Sequence, residues 1–272
     1  MKSALLLAAV LALAGTGAST PKPAKPIRAL LVLGGCCHDY EHQKDVLARG
    51  IAERANVEVT IAYDPDTTTS HKNPVYENPN WAKGFDVVIH DECTSDVKDI
   101  DFINTILAPH RAGLPAVFLH CGMHSYRSEG FPKSTPWFEL TGMPSTGHGA
   151  QLPIVITFVD ANSPITKGMA DWTTIHEELY NNSAGKPLDT AHPLARGKQT
   201  FQAAGGQPGV SDYVCVWTNS YMGKTRVFAT TLGHNTETVA DPRYLDLVTR
   251  GLLWSVNKLG KDGKPAAGYG PK

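Results

Sequence analysis

Several common signals are missing from this 272-residue chain, and each absence removes a class of function. There is no Cys-x-x-Cys pair, which argues against a structural zinc knuckle. There is no basic excess: 25 Lys and Arg face 26 Asp and Glu, the net charge is −1, and the charges are scattered. Neither nucleic acid nor an anionic membrane surface is therefore an expected partner. Past the amino terminus, no run approaches the roughly 20 apolar residues needed to cross a bilayer. No Ser or Cys stands in an intact glycine-flanked elbow, because Phe118 and Leu119 occupy the places where glycine would precede the candidates. No internal repeat and no second linker interrupt the chain, so one domain is expected.

What is present begins with an export signal. Lys2 precedes an apolar run from Ala4 to Ala14, and small residues follow to Ser19. A charged start, a short apolar middle and a small-residue end read as a secretory signal peptide over residues 1–18, cleaved near Ala18. The expected location is secreted or periplasmic, with no membrane attachment after cleavage. Residues 19–26 are rich in Pro and Lys and read as a linker. Residues 27–260 form the expected domain, and 261–272 a flexible tail. Five cysteines, Cys36, Cys37, Cys93, Cys121 and Cys215, leave at least one thiol unpaired unless chains are cross-linked. Export permits disulfides.

Apolar periodicity gives the order of elements. Residues 27–33 read as a buried strand closed by Gly34-Gly35. Residues 42–55 carry Val46, Leu47, Ile51 and Ala55 at helical spacing. Strands follow at 57–62, 85–90 and 116–119, with a helix at 100–112 and a long polar loop at 64–83. This alternation is the signature of an α/β fold, a mostly parallel sheet with helices on both faces. The second half is less regular. It offers a strand at 152–159, two more at 213–218 and 226–232 joined at Met222-Gly223-Lys224, and a closing helix from Pro242 to Lys258.

In open parallel sheets ligands bind outside the carboxyl ends of the strands. Histidine follows the strands there repeatedly: His38 with Asp39 and Tyr40, His90, His120 with His124, and His234 with Asn235. One histidine alone is an ordinary hydrogen-bonded residue, but several at one sheet edge describe a pocket. Imidazole serves there as acid, base or metal ligand near neutral pH. At the tip of 116–119 two readings compete. Cys121 is a nucleophile activated by histidine, or His120 holds the tip and Cys121 is structural. A Cys37–Cys93 or a Cys93–Cys121 bridge fits the same map, as do buried free thiols.

The motifs Phe118-Leu119-His120-Cys121, Gly147-His148-Gly149, Ser163 to Gly168, Glu177-Glu178-Leu179-Tyr180 and Gly223 to Asn235 appear in that order. Together they resemble the ThuA-like trehalose-utilisation family from about residue 27 to 258. The resemblance implies a flavodoxin-like sheet, class I glutamine amidotransferase-like. It places His120 where the amidotransferase cysteine would be and His234 where its histidine would be. Without that cysteine a thioester route has no nucleophile, so amidotransferase activity is not expected. The resemblance implies work on a small carbohydrate such as a disaccharide or keto-sugar glycoside.

The expected catalytic set is His120, His148, Glu178 and His234. Asp39, Tyr40, His124, Tyr180 and Asn235 are expected to bind substrate. His38, His120 and His234 are expected to hold one divalent metal, zinc or manganese. A 3-keto group acidifies the adjacent C–H, so a His or Glu base can start elimination of the leaving sugar. Two alternatives stand beside this: a non-catalytic binding module stacking sugars on Trp81, Tyr126, Trp137 or Trp172, and an esterase using Ser125 or Cys121.

Overall fold

The computed structural model describes residues 24–272, so residues 1–18, expected as a signal peptide, and most of the expected linker lie outside the described residues. The chain runs β1 (Ile27–Gly35), α1 (Tyr40–Arg54), β2 (Val57–Asp64), β3 (Val87–Cys93), α2 (Ile100–Arg111) and β4 (Ala116–Leu119). A 3-10 turn, His120–His124, leads to α3 (Pro136–Thr141). Then come β5 (Leu152–Phe158), β6 (Trp172–Glu177), β7 (Ala191–Gln202), β8 (Pro208–Tyr221), β9 (Thr225–Thr230), α4 (Thr236–Val239) and α5 (Pro242–Ser255).

One nine-stranded sheet results, in the order β2-β1-β3-β4-β9-β8-β7-β5-β6. Strands β2, β1, β3, β4 and β9 are mutually parallel, which is the flavodoxin-like half. The remaining strands add an antiparallel extension, starting where β8 turns back on β9. Every residue of β3 is buried, as a central strand covered on both faces requires.

Side chains alternate across the sheet and feed two cores. Leu31, Leu33 and Ile89 face α1 and α5, meeting Leu47, Ile51, Val248 and Leu252. Leu30, Val32 and Val88 face α2 and α3, meeting Ile103, Leu107, Trp137 and Leu140. Caps fix two of these helices. Asp99 accepts from the backbone N–H of Asp101 and Phe102, and Asp241 accepts from Arg243 with Pro242 at the first position.

Three features depart from the sequence reading. β6 and β7 were not expected, and β8 is longer than residues 213–218. β7 carries Pro193 and Gly197 and exposes much of one face, so its apolar signal is weak and its pairing with β8 defines it. The residues at 261–272, expected as a flexible tail, fold back on the domain instead. Leu259 pairs with Pro265, and the Tyr269 carbonyl accepts from Asn56 N–H while its ring lies under the Lys258 ammonium. Finally, the loop at 64–83 is packed. Asn73 donates to the Leu33 and Ala62 carbonyls, and Tyr76 and Trp81 are buried.

Candidate functional site

The carboxyl ends of β1, β4 and β9 deliver His38, His120 and His234 to one place. Ring centroids lie 4.6 Å apart for His38 and His120, 4.8 Å for His38 and His234, and 5.5 Å for His120 and His234. The antiparallel extension supplies the rest: Glu178 and Tyr180 follow β6, and His148 pairs with Tyr180 in an isolated bridge.

Glu178 is the hub. Its Oε2 lies 3.4 Å from His120 Nε2 and 3.4 Å from His148 Nε2, and its Oε1 lies 3.2 Å from His234 Nδ1. The His234 contact is off the line of a hydrogen bond, so its attraction is coulombic. His120 Nδ1 donates to the Thr231 carbonyl at 2.7 Å, which leaves Nε2 to accept from the Tyr180 hydroxyl at 3.1 Å. His148 Nδ1 likewise faces the Gly149 carbonyl at 2.8 Å. Two imidazole nitrogens, one of them already accepting from Tyr180, and a carboxylate oxygen therefore converge. Three acceptors at such range repel unless a proton or a cation lies among them.

Burial works against ionisation of Glu178, yet the His120 and His234 rings outweigh it and hold the carboxyl well below its ordinary range. The same carboxylate raises His234 above the usual histidine value. Burial, then the neighbouring His120 and His234, push His38 down to about 2. His38 is thus neutral at any ordinary pH, and its buried Nδ1 has no partner. One donor atom from each of His38, His120 and His234 lies within 4.8 Å of the others. Three neutral-capable nitrogens beside a carboxylate fit zinc or manganese chemistry.

Local structure explains the convergence. His120 adopts φ 40°, a left-handed value uncommon outside glycine, which makes a sharp elbow between β4 and the following turn. Gly233, at φ 120°, lets the end of β9 close in: a Cβ there would stand 2.7 Å from the Tyr244 hydroxyl. Glu177 then clamps that loop, its buried carboxylate accepting from the backbone N–H of His234 and Asn235 at 3.1 Å each.

Other expected residues land differently. Tyr40 is buried, its ring centroid 5.3 Å from that of His38 in an edge-on arrangement. Asp39 stays at the exposed rim, where its carboxylate is engaged by His42 at 2.7 Å. His124, expected to touch substrate, lies fully behind Tyr180, stacked on it at 3.9 Å and bonded to Ser145. Asn235 spends its side-chain amide on the His176 carbonyl. His90 follows the strand alternation to the opposite face, where it meets Glu92 and His110. Gln151 was not foreseen. Its amide lies 2.8 Å from His234 Nε2 and 3.4 Å from Glu178, and no motif marks it. Glu177 was also missed as a clamp, although it adjoins Glu178 in the quoted motif.

The alternatives lose their residues. Cys121 is bridged to Cys93, so it offers no thiolate nucleophile. Ser125 is buried and donates to the Glu92 carbonyl. Trp81, Tyr126, Trp137 and Trp172 are all core residues and present no ring face for a sugar. A cleft of 160 Å³ at the carboxyl edge is lined by His38, Asp39, Tyr40 and the 63–67 segment. A larger cleft of 780 Å³ opens at the amino ends, between Arg28, Asp86, Pro115 and Lys258, and contains no imidazole.

A family model described as ThuA, trehalose utilisation, matches residues 28–255. A ThuA-like protein from Parabacteroides merdae has a similar solved structure, with a TM-score of 0.62 and 20% identity over 91% of this chain and 98% of that one. Another, from Bacteroides uniformis, has a TM-score of 0.61 and 15% identity over 92% and 99% of the two chains. No curated protein matches. The chain, matched over nearly all of its domain, belongs to the ThuA trehalose-utilisation family.

Proposed function

We propose that the protein cleaves a small keto-sugar glycoside at the His38–His120–His148–His234–Glu178 centre, by proton abstraction beside the ketone and expulsion of the leaving sugar. The observation that carries this reading is the carboxylate ringed by imidazoles at a strand-to-turn elbow. Such a group can take a proton from carbon and return one to oxygen within a single site.

His148 is the most open of the imidazoles, with its side chain 36% exposed and its Nε2 directed at Glu178, which suits it to accept the C–H proton. His234, whose hold on a proton the Glu178 carboxylate strengthens, is suited to donate to the departing glycosidic oxygen. Gln151 fits both states of His234, since its amide can present oxygen to the charged ring or nitrogen to the neutral one. Tyr180 and the Thr231 carbonyl orient His120. A zinc or manganese ion held by His38, His120 and His234 would instead polarise the ketone oxygen, and His234 would then serve as a ligand rather than as the proton donor.

Ordinary glycosidases place two carboxylates across the scissile bond. Here Glu177 is committed to backbone N–H groups, which leaves Glu178 as the available carboxylate. A thioester route needs a free thiol, and the elbow residue is His120 with a bridged Cys121 beside it. The two disulfides suit an exported protein, in keeping with the amino-terminal signal.

The test is direct. Purified protein is incubated with 3-keto-glycosides, and release of the leaving sugar is followed while metal content is measured. Glu178→Gln and His120→Ala are expected to lower turnover at least a hundredfold, and a chelator to lower it in a way that added metal reverses. Full turnover by His120→Ala on every substrate the parent cleaves would refute the catalytic role.

A further inference from the structure

Four of the five cysteines meet directly beneath the imidazole cluster. Cys36 is bridged to its neighbour Cys37, and Cys93 to Cys121. The two bridges are in contact, with Cys36 Sγ 3.5 Å from Cys93 Sγ, and Cys37 Sγ also within 4.8 Å of both. Backbone packing brings them together. Gly35 pairs with Cys93 across β1 and β3, and Cys36 N–H donates to the Cys93 carbonyl at 3.2 Å. Any side chain at Gly35 would collide with that carbonyl, and a Cβ at Gly122 would stand 2.5 Å from the His90 carbonyl.

Access to the four sulfurs is unequal. Cys36, Cys93 and Cys121 are buried, whereas Cys37 is exposed. An attacking thiol from solvent therefore reaches the Cys37 sulfur first. Breaking that bridge leaves a Cys36 thiolate already in van der Waals contact with the second disulfide. We propose that these sulfurs form a thiol–disulfide relay, which accepts two electrons from a dithiol at Cys37 and passes them inward to Cys121, beside His120.

The steps balance. One thiolate of the dithiol attacks Cys37 Sγ, forms a mixed disulfide and expels Cys36 thiolate. The second thiolate of the same reductant attacks its own bonded sulfur, closes the reductant's disulfide and releases Cys37 as a thiol. Cys36 thiolate attacks Cys93 Sγ, the Cys36–Cys93 bond forms, the Cys93–Cys121 bond breaks, and Cys121 leaves as thiolate and takes a proton from solvent. The dithiol has lost two electrons and two protons, and the protein has gained them. The product ties the β1 loop to β3 and frees a thiol next to the His120 elbow.

The experiment uses the full chain and one molar equivalent of dithiothreitol. After an acid quench, free thiols are alkylated and disulfide-linked peptides are mapped by mass spectrometry. The relay requires Cys37 and Cys121 alkylated and a Cys36–Cys93 linked pair. Alkylated Cys36 and Cys37 with Cys93–Cys121 intact would overturn it, as would alkylated Cys93 and Cys121 with Cys36–Cys37 intact. In a C36S/C37S variant, opening of Cys93–Cys121 by the same reductant is expected to slow at least tenfold, and an unchanged rate also overturns the proposal. The parent mapping stands by itself should that variant fail to fold. Cys215, buried and with its thiol pushed up to about 12 by burial, is expected to stay unmodified in the native protein.

Discussion

His120 occupies a backbone conformation that few side chains adopt, and every polar atom of its ring has an assignment. Thr231 fixes one nitrogen and Tyr180 meets the other, so the ring's direction is set before any substrate arrives. Tyr180→Phe removes only the hydroxyl on Nε2. A single neutral hydrogen bond contributes about 1 kcal/mol. Turnover is therefore expected to fall about fivefold, with near-ultraviolet circular dichroism unchanged. Loss of the folded signal instead would show that Tyr180 acts through packing against His124 and His148.

At the scale of elements, the site depends on how the β9 loop is held. Glu177 takes two backbone N–H groups there, and Gln43 donates to the His234 carbonyl from α1. In Glu177→Gln one carboxylate oxygen becomes an NH₂ group facing a donor, so a buried N–H loses its partner. The expected cost is about 1–3 kcal/mol, read as a lowered urea midpoint, together with weaker turnover. Gly233→Ala strains the same loop from the other side, because it adds a Cβ near the Tyr244 hydroxyl at a left-handed position. It is expected to destabilise by about 1–3 kcal/mol. A wild-type midpoint for either variant would mean that the loop is held elsewhere. The parallel elements were legible because each is an apolar run of strand or helix period. β6 and β7 were not, since half-exposed strands of polar residues owe their form to neighbours supplied by the ladder.

Across the whole molecule, buried neutral histidines tie stability to acid. His110, beneath the sheet's second face, is pushed down to about 3 by burial first and His90 next. His124 is lowered well below the usual range, again by burial first and then by Arg127. Folding keeps both rings neutral, whereas the unfolded chain binds protons on them below about pH 6.5. Stability from these groups is thus full above that value and falls as pH drops toward the folded-state values. Each fully depressed group contributes a slope of about 1.4 kcal/mol per pH unit. Urea midpoints measured at pH 7 and pH 5 should decline clearly, and equal midpoints would contradict the burial argument.

The amino-acid order alone determined the parallel core, the family, and the placing of His38, His120 and His234 after strands, because period and strand-end position are local properties of a chain. It did not determine which of those histidines share a face. His90 lies within β3 and Asp39 follows β1, yet strand alternation sends the one to the opposite face and a turn at the rim carries the other away from the cluster. Gln151, the Glu177 clamp and the choice of the Cys93–Cys121 bridge were settled only by tertiary structure. Each depends on backbones far apart in sequence approaching within a few ångströms, and no local pattern encodes that distance.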